Sequence, residues 1–600
     1  MKILIIAEKP SVGRDIARVL KCNQKGDGFL HNENYIISWA IGHLATLKEP
    51  EEYDPNLKKW KMQDLPIIPQ TMGLKALPKT VKQLNLLKKM LNSKEVEQII
   101  CATDSGREGE LIFRYIYQWA SCKKPVKRLW ISSLTDAAIT EGLAKMKDGT
   151  AYDNLFASAR CRAEADWLVG MNATRAFTLK HGELLPMGRV QTPTLAILVN
   201  RHHEIVAFVP ENYWEVKADF KTENGAEYQG IFLDSTNENQ DRVTTEARAN
   251  DIAEKVKGQQ GTITGIETEE KRQLPPQLFD LTELQRECNR KLGFSAQKTL
   301  ATAQALYETH KMITYPRTDS RYLSKDMEPK LTPVLQAAPP PYDTFAQTVL
   351  DMPKLPLGSR IINDAKVTDH HAIIPTGSKK PLSALSADEK AVYDLIMRNF
   401  IAVFHPAYVY DVTTVLTTVV GEVFRARGKM DKQLGWKVIH AHDSAGNKDT
   451  DDTETLPNLT QGEAVTATDT HVLHKKTQPP KPYTEATLLS AMEHAGRFVD
   501  DEALKDALKQ SGLGTPATRA AMIEKLISSG YVERKKKSLL PTEKGIRLIS
   551  IVPPEMRQPE TTGKWEKGLS RIAGGELDDG KFMESIRRYV AYLVNEARNA

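Results

Sequence analysis

The sequence predicts a multidomain chain, an α/β unit joined to α+β parts, and three observations lead there. Its 600 residues exceed what one hydrophobic core can serve, so three to five domains are expected. Residues 1–150 alternate continuous apolar runs with stretches of helical spacing, the pattern of a parallel sheet covered on both faces. Strand-like alternation then returns twice, on either side of a mainly helical block holding Tyr315, which places that block as an insertion into a β domain.

Lys2 to Ala7 is the first apolar strand, and Ser11 caps a helix with apolar positions at Val12, Ile16, Val19 and Leu20. Val96 to Ala102 is the second strand. Leu111, Ile112, Tyr115 and Trp119 mark the helix after it, and Leu129 to Ile131 reads as a third strand. In such sheets the working residues lie beyond the carboxyl ends of strands. Glu8 and Asp104 both fall there. Residues 151–205 are helical, interrupted at Gly188-Arg189-Val190-Gln191-Thr192-Pro193. Tyr213 to Phe220 alternates as a strand. Leu274-Pro275-Pro276 opens the helical block, which Pro339-Pro340-Pro341 breaks. Strand pattern resumes near 408–420. A polar, acidic loop at 442–455 follows, then Pro479-Pro480-Lys481-Pro482, and the rest is largely helical.

With 40% hydrophobic and 26% charged residues, the composition is that of an ordinary soluble globular protein. A net charge of +5 neither requires nor excludes a polyanion partner. The five cysteines are far apart, with no CxxC pair. That argues against a zinc ribbon or a disulfide framework and suits a reducing cytoplasm. No apolar run is long enough for a signal peptide or a membrane span, so no membrane partner is expected. No GxxxxGK[ST] occurs, so ATP hydrolysis by a P-loop is not indicated.

Five motifs carry chemistry. Asp104 and Glu108 lie four apart in Ala102-Thr103-Asp104-Ser105-Gly106-Arg107-Glu108-Gly109-Glu110. Hard divalent cations want oxygen ligands, and magnesium takes one or two carboxylates plus water and substrate phosphate. A solvated turn opening a helix would look the same, since acidic residues favour helix N-termini. Glu8-Lys9-Pro10-Ser11 supplies a carboxylate and an ammonium after the first strand, and alone it would be an ordinary loop. Thr314-Tyr315-Pro316-Arg317-Thr318-Asp319-Ser320 sets a tyrosine near an arginine among hydrogen-bonding side chains, with Pro316 expected to break a helix and expose the ring. A phenol of pKa about 10 needs electrostatic help to attack at neutral pH. In Asp369-His370-His371-Ala372-Ile373-Ile374-Pro375-Thr376, adjacent histidines diverge, so zinc is not expected; a surface turn would look the same, and a histidine here is also suited to a scissile phosphate. Gly514-Thr515-Pro516-Ala517-Thr518-Arg519 precedes a helix and a basic hairpin arm at Tyr531 to Lys537, the order of a winged helix.

These residues resemble the type IA DNA topoisomerases, of the bacterial topoisomerase III branch. The match runs nearly end to end. It also takes in Arg160-Cys161-Arg162-Ala163-Glu164-Ala165-Asp166-Trp167, Pro275-Pro276 with Leu284-Gln285, Leu306-Tyr307-Glu308, and Tyr483-Thr484-Glu485-Ala486-Thr487. The acidic cluster alone is shared with primases and some nucleases through the Toprim fold. The resemblance implies four domains in a torus: a Toprim domain (1–150), a helical single-strand DNA-binding domain with winged-helix-like parts (151–207 and 468–600), a β-rich arch (208–276 and 405–467), and a domain carrying the nucleophilic tyrosine (277–404).

It further implies that Tyr315 attacks a single-strand phosphate and becomes joined to the 5′ end, while the 3′ hydroxyl end is held noncovalently until it reverses the reaction. The phosphotyrosyl bond stores the backbone energy, so no ATP is needed. Glu8 would handle the proton of the 3′ oxygen. Lys9 and Arg317 would stabilise phosphate charge, and His370 would contact the same region. Asp104 and Glu108, with Glu8, would hold magnesium. Arg160, Arg162, Arg189, Gln191, Thr318, Ser320, Thr518 and Arg519 would contact DNA. The implied partners are single-stranded and negatively supercoiled DNA. The resemblance also allows a helicase partner, and it implies a monomer in the cytoplasm, associated with nucleoid or plasmid.

Two departures stand out. The commoner acidic pattern has a second aspartate where this chain has Gly106, so a carboxylate is missing. The chain also ends at Ala600 without the cysteine-rich or basic tail of many relatives, either as a short natural form or as a truncated one. The segment at 235–250 is not notably basic and does not read as a decatenation loop. Two other readings compete: a Toprim nuclease or primase-like enzyme, which would form no tyrosyl adduct, and a catalytically silent DNA-binding protein, which a relaxation assay would expose.

Overall fold

The computed structural model describes every residue except 235–239, 446–454 and 600. Most of the expected acidic loop, and part of the 235–250 segment, lie outside the described residues. The first domain is a seven-stranded sheet. At its centre Lys2–Ala7 runs parallel to Tyr35–Trp39 on one side and to Val96–Ala102 on the other. Leu4, Ile5, Ile6, Ile99 and Ile100 are almost wholly buried, because helices cover both faces. Ala7 pairs with Ala102, so the chain leaves these two strands side by side and delivers Glu8 and Asp104 to one sheet edge.

Two local expectations need correction. The helix Pro10–Val19 is capped by Lys9, with Pro10 in its first turn, so Ser11 sits inside the helix. Proline has no N–H to lose at that position, which makes it the natural first residue. The strand expected at Leu129–Ile131 is Val126–Arg128, the fourth parallel strand of the sheet, because Tyr35–Trp39 is parallel too. Its charged Lys127 and Arg128 hid it from a search for apolar runs.

The helices Asp153–His181 and Gln191–Ala207 are separated at 182–190, earlier than the expected break, since Gln191, Thr192 and Pro193 open the second helix; the first ends on Gly182 in the left-handed region. Their buried side chains share one core with residues 483–597, so the helical domain is built from two distant stretches. Within it, the helix Pro516–Ser528 and the hairpin of Val532–Lys535 with Ser538–Pro541 give the winged-helix order. Six strands between Asn212 and Lys476 close into a barrel. The last of them runs on to Lys476, beyond the expected limit of 467, because it stays paired with Asn212–Thr222 along its length. The tyrosine-bearing block has its own core, from Leu278 to Phe404 with Ile439. Among the described residues, no helix is long and apolar enough to cross a membrane.

Candidate active site

The acidic turn is shaped from beneath. Arg128, 1% exposed, donates to the carbonyls of Thr103 at 2.8 Å and Asp104 at 2.7 Å. Its charge is met by Glu110 at 3.1 Å, which also holds Arg114 at 2.8 Å. A buried arginine spent on backbone carbonyls fixes a loop, since its five donors cannot be left unpaired. Thr103 Oγ1 donates to the Gly109 carbonyl at 2.8 Å. Gly109 must lack a side chain: a Cβ there would lie 2.2 Å from the Asp104 carbonyl oxygen.

Above this frame the two predicted centres meet. Glu8 Oε2 accepts the backbone N–H of Asp104 at 2.9 Å. Lys9 Nζ stands 2.7 Å from Asp104 Oδ2 and 3.8 Å from Glu8 Oε1, so the ammonium is committed to Asp104. The same ammonium lies 3.7 Å from the centre of the Tyr315 ring. His370 Nε2 reaches Asp104 Oδ2 at 3.1 Å, and its ring stands edge to face with Tyr315 at 4.5 Å. Tyr307 closes the other side of the tyrosine at 5.4 Å. Tyr315 is therefore half-buried on an irregular segment, where Pro316 was expected to expose it. Residues from two domains, up to 362 positions apart in sequence, make one site.

The electrostatics differ for each group. Burial, and after it the charge of Asp104, pushes the Glu8 carboxyl up to about 8. Burial also works to raise Asp104, but the hydrogen bond and charge of His370 and the Lys9 ammonium overcome it and hold that carboxyl below the usual range. Burial acts to lower Lys9; Asp104, Tyr315 and Glu8 reverse this and keep it charged. The Tyr315 phenol is raised by burial, with Lys9 opposing. Burial lifts Asp369 to about 6.

The remaining expected residues fall into three groups. Glu108 turns to His43, at 2.6 Å, and Arg317 is exposed and donates to Gln304 at 3.2 Å. Thr318 and Ser320 are interior: Thr318 Oγ1 donates to the His370 carbonyl at 2.8 Å and so positions that histidine, and Ser320 Oγ donates to the Lys366 carbonyl at 2.9 Å. The third group surrounds a cleft of about 890 Å³ that includes Arg107, Arg162, Arg189, Lys509 and Arg519. Arg189 is buried between Asp166 at 2.9 Å and Glu566 at 3.0 Å, and Arg107 reaches the other oxygen of Glu566 at 2.9 Å. Arg519 is buried, donating to Thr282 at 2.9 Å. Arg160 pairs with Asp579 away from this cleft, on another. Gln191 is buried, and neither polar atom of its amide has a hydrogen-bond partner among the described residues. Thr518 is exposed and caps the helix Pro516–Ser528 with Thr515.

Sequence reasoning missed Arg128, Glu566, His43, Tyr307 and Asp369. The one available signal was the Asp369 carboxylate beside His370; the others carry their meaning only through contacts far away in sequence.

The donor chemistry suits a hard divalent cation: carboxylates from Glu8, Asp104, Glu108 and Asp369 belong to this strand-end region. Among the described residues, however, no three acidic, histidine or cysteine side chains close a cage by themselves. Magnesium tolerates such a site because it keeps water and takes phosphate oxygens.

A Toprim sheet whose acidic turn faces a tyrosine from a second domain defines the class, and the chain belongs to the type IA DNA topoisomerases. The Toprim domain profile matches residues 3–134, and the DNA topoisomerase profile matches residues 150–584. Among named relatives, the chain is 43% identical over 605 residues to DNA topoisomerase 3 of Bacillus subtilis strain 168, covering all of this chain and 82% of that one. It is also 43% identical to DNA topoisomerase 3 of Bacillus cereus, with the same coverage. In fold it is similar to full-length topoisomerase I from Thermotoga maritima, with a TM-score of 0.71 at 21% identity, over 99% of this chain and 90% of that one. The chain is an enzyme of the isomerase class that changes DNA topology by transient cleavage.

Proposed function

We propose that this enzyme relaxes and decatenates DNA without ATP, cutting one strand through a 5′-phosphotyrosyl bond at Tyr315, with magnesium at Glu8, Asp104 and Glu108. The observation that carries the reading is the Lys9 ammonium, set between Asp104 at 2.7 Å and the Tyr315 ring at 3.7 Å. It joins the acidic turn of one domain to the tyrosine of another.

In cleavage the bond from the Tyr315 oxygen to phosphorus forms and the bond from phosphorus to the 3′ oxygen breaks. Glu8 is raised enough to keep its proton at neutral pH. Its Oε2 is engaged by the Asp104 N–H, which leaves Oε1 to carry a proton to the departing 3′ oxygen; Glu8 would face magnesium only in its ionised form, after that transfer. In religation the same oxygen takes it back. Lys9 favours negative charge as it develops on the phenol oxygen and the phosphate. A cavity of about 230 Å³ beside Tyr315 and His370 leaves room for solvent to take the phenol's proton. Magnesium would neutralise phosphate charge and orient the strand.

The cleft with Arg107, Arg162 and Arg189 would carry the unpaired strand toward Tyr315, by phosphate contacts that weaken with salt. Arg189 and Arg519 would then act mainly as buried supports of that groove, with Arg162 and Lys509 nearer the phosphates. The proposed division is 1–150, 151–207 with 468–600, 208–276 with 405–467, and 277–404, the last barrel strand continuing to Lys476.

The test is incubation with negatively supercoiled plasmid and magnesium, without ATP. Stepwise relaxation supports the reading. No change in topoisomers, or linearisation without religation, contradicts it.

A further inference from the structure

Gly106 does not owe its place to backbone freedom. Its φ is −158°, extended backbone that any residue adopts. What excludes a side chain is a carboxylate: a Cβ at Gly106 would lie 2.7 Å from Asp369 Oδ2 and 2.9 Å from Oδ1. The tyrosine-bearing domain thus inserts an acid where the residue capping the helix Arg107–Trp119 would otherwise project one. Asp369 precedes His370, which already touches Asp104 at 3.1 Å, so the two acids face one another across the domain boundary. The Asp369 carboxylate has no hydrogen bond or ion pair among the described residues. A half-buried carboxylate with no direct ion pair among the described residues, only the more distant charges of His370 and Arg128, and turned toward a second carboxylate is costly unless an ion answers it.

We infer that Asp369 supplies a carboxylate to the divalent cation site from the opposite domain, in the place that Gly106 leaves open. The inference rests on the magnesium reading above and deepens it. It would give the cation a second role: Asp104 from one domain and Asp369 from the other would both hold it, tying together the boundary that strand passage would have to open. Binding is tight with the domains closed and weakens when they separate.

The test uses the full chain with Mn²⁺ alone as probe, counting free ion by electron paramagnetic resonance, alongside thermal melting. Wild type is compared with Asp369→Asn, Asp104→Asn and the exchange variant Gly106→Asp/Asp369→Gly. Loss of an oxygen ligand should weaken Mn²⁺ binding about tenfold or more, in Asp369→Asn as in Asp104→Asn. The exchange variant moves the carboxylate to the other side of the same gap and should regain most of the affinity. If Asp104→Asn binds weakly and Asp369→Asn binds like wild type, the inference falls and the magnesium reading stands. If neither variant differs from wild type, both fall. Should Asp369→Asn also melt lower, the exchange variant decides: restored affinity supports the inference, and weak affinity with a wild-type melt overturns it.

Discussion

Replacing Glu8 with glutamine isolates the most unusual charge in the site. Glu8 is 8% exposed, and its carboxyl is moved from 4.5 to about 8, by burial first and by Asp104 second. In the unfolded chain it ionises near 4.5. Between about 4.5 and 8 the folded protein therefore holds a proton that the unfolded chain has released, and stability falls as pH rises through that window. Below 4.5 both states are protonated and the group is silent. Above about 8 both are ionised, and the full cost is on the order of 5 kcal/mol. At pH 7 it is roughly 3 kcal/mol. Glutamine cannot ionise and keeps an oxygen for the Asp104 N–H. Glu8→Gln should therefore melt with wild type at pH 4.5 and above it at pH 7, the gap widening up to pH 8 and constant beyond. The assay is thermal melting across pH in EDTA, without DNA. Cleavage of single-stranded DNA should meanwhile fall by about 10²- to 10⁴-fold, because the 3′ oxygen loses its acid. A melting gap that is constant with pH, or that closes as pH rises, would refute the reasoning.

Other outcomes follow from the same contacts. Gly109→Ala drives a methyl to 2.2 Å from the Asp104 carbonyl oxygen, so the acidic turn should open, with both cleavage and the melting temperature of the first domain reduced. Glu566→Ala leaves Arg189 buried with one partner fewer and should cost about 3–5 kcal/mol in the helical domain, read by denaturant unfolding. Burial opposes ionisation of Glu566, but Arg189 and Arg107 hold its carboxyl down at about 2. That contribution is present above pH 4.5 and lost as pH falls through 2, so the wild-type advantage should shrink in acid. Raising salt should weaken single-strand binding steeply in wild type and less steeply in Arg162→Ala, if that arginine contacts phosphate.

The parts of the fold read correctly in advance were those with strong local periodicity. Lys2–Ala7 and Val96–Ala102 are uninterrupted apolar runs, and their ends announced Glu8 and Asp104 before any contact was known. Val126–Arg128 failed the same test because its buried arginine is neutralised by Glu110, 18 residues earlier in the chain. Tyr315 was legible from its neighbours in sequence, but its burial was not, since Lys9 and His370 cover it from 306 and 55 positions away. Arg189 read as a DNA contact; Asp166 and Glu566 hold it in the interior. Gly106 read as a missing ligand. Only the approach of Asp369 from another domain shows what fills the space.

The central claim is that Tyr315 takes the 5′ phosphate of a cut strand. It is tested most directly with one oligonucleotide labelled in turn at each end, incubated with enzyme and magnesium and trapped with detergent. The account predicts that the 3′ label stays with the protein on the peptide containing Tyr315, that the 5′ label is released, and that Tyr315→Phe retains neither while still binding the strand. Retention of the 5′ label, or an adduct that survives in Tyr315→Phe, would contradict it.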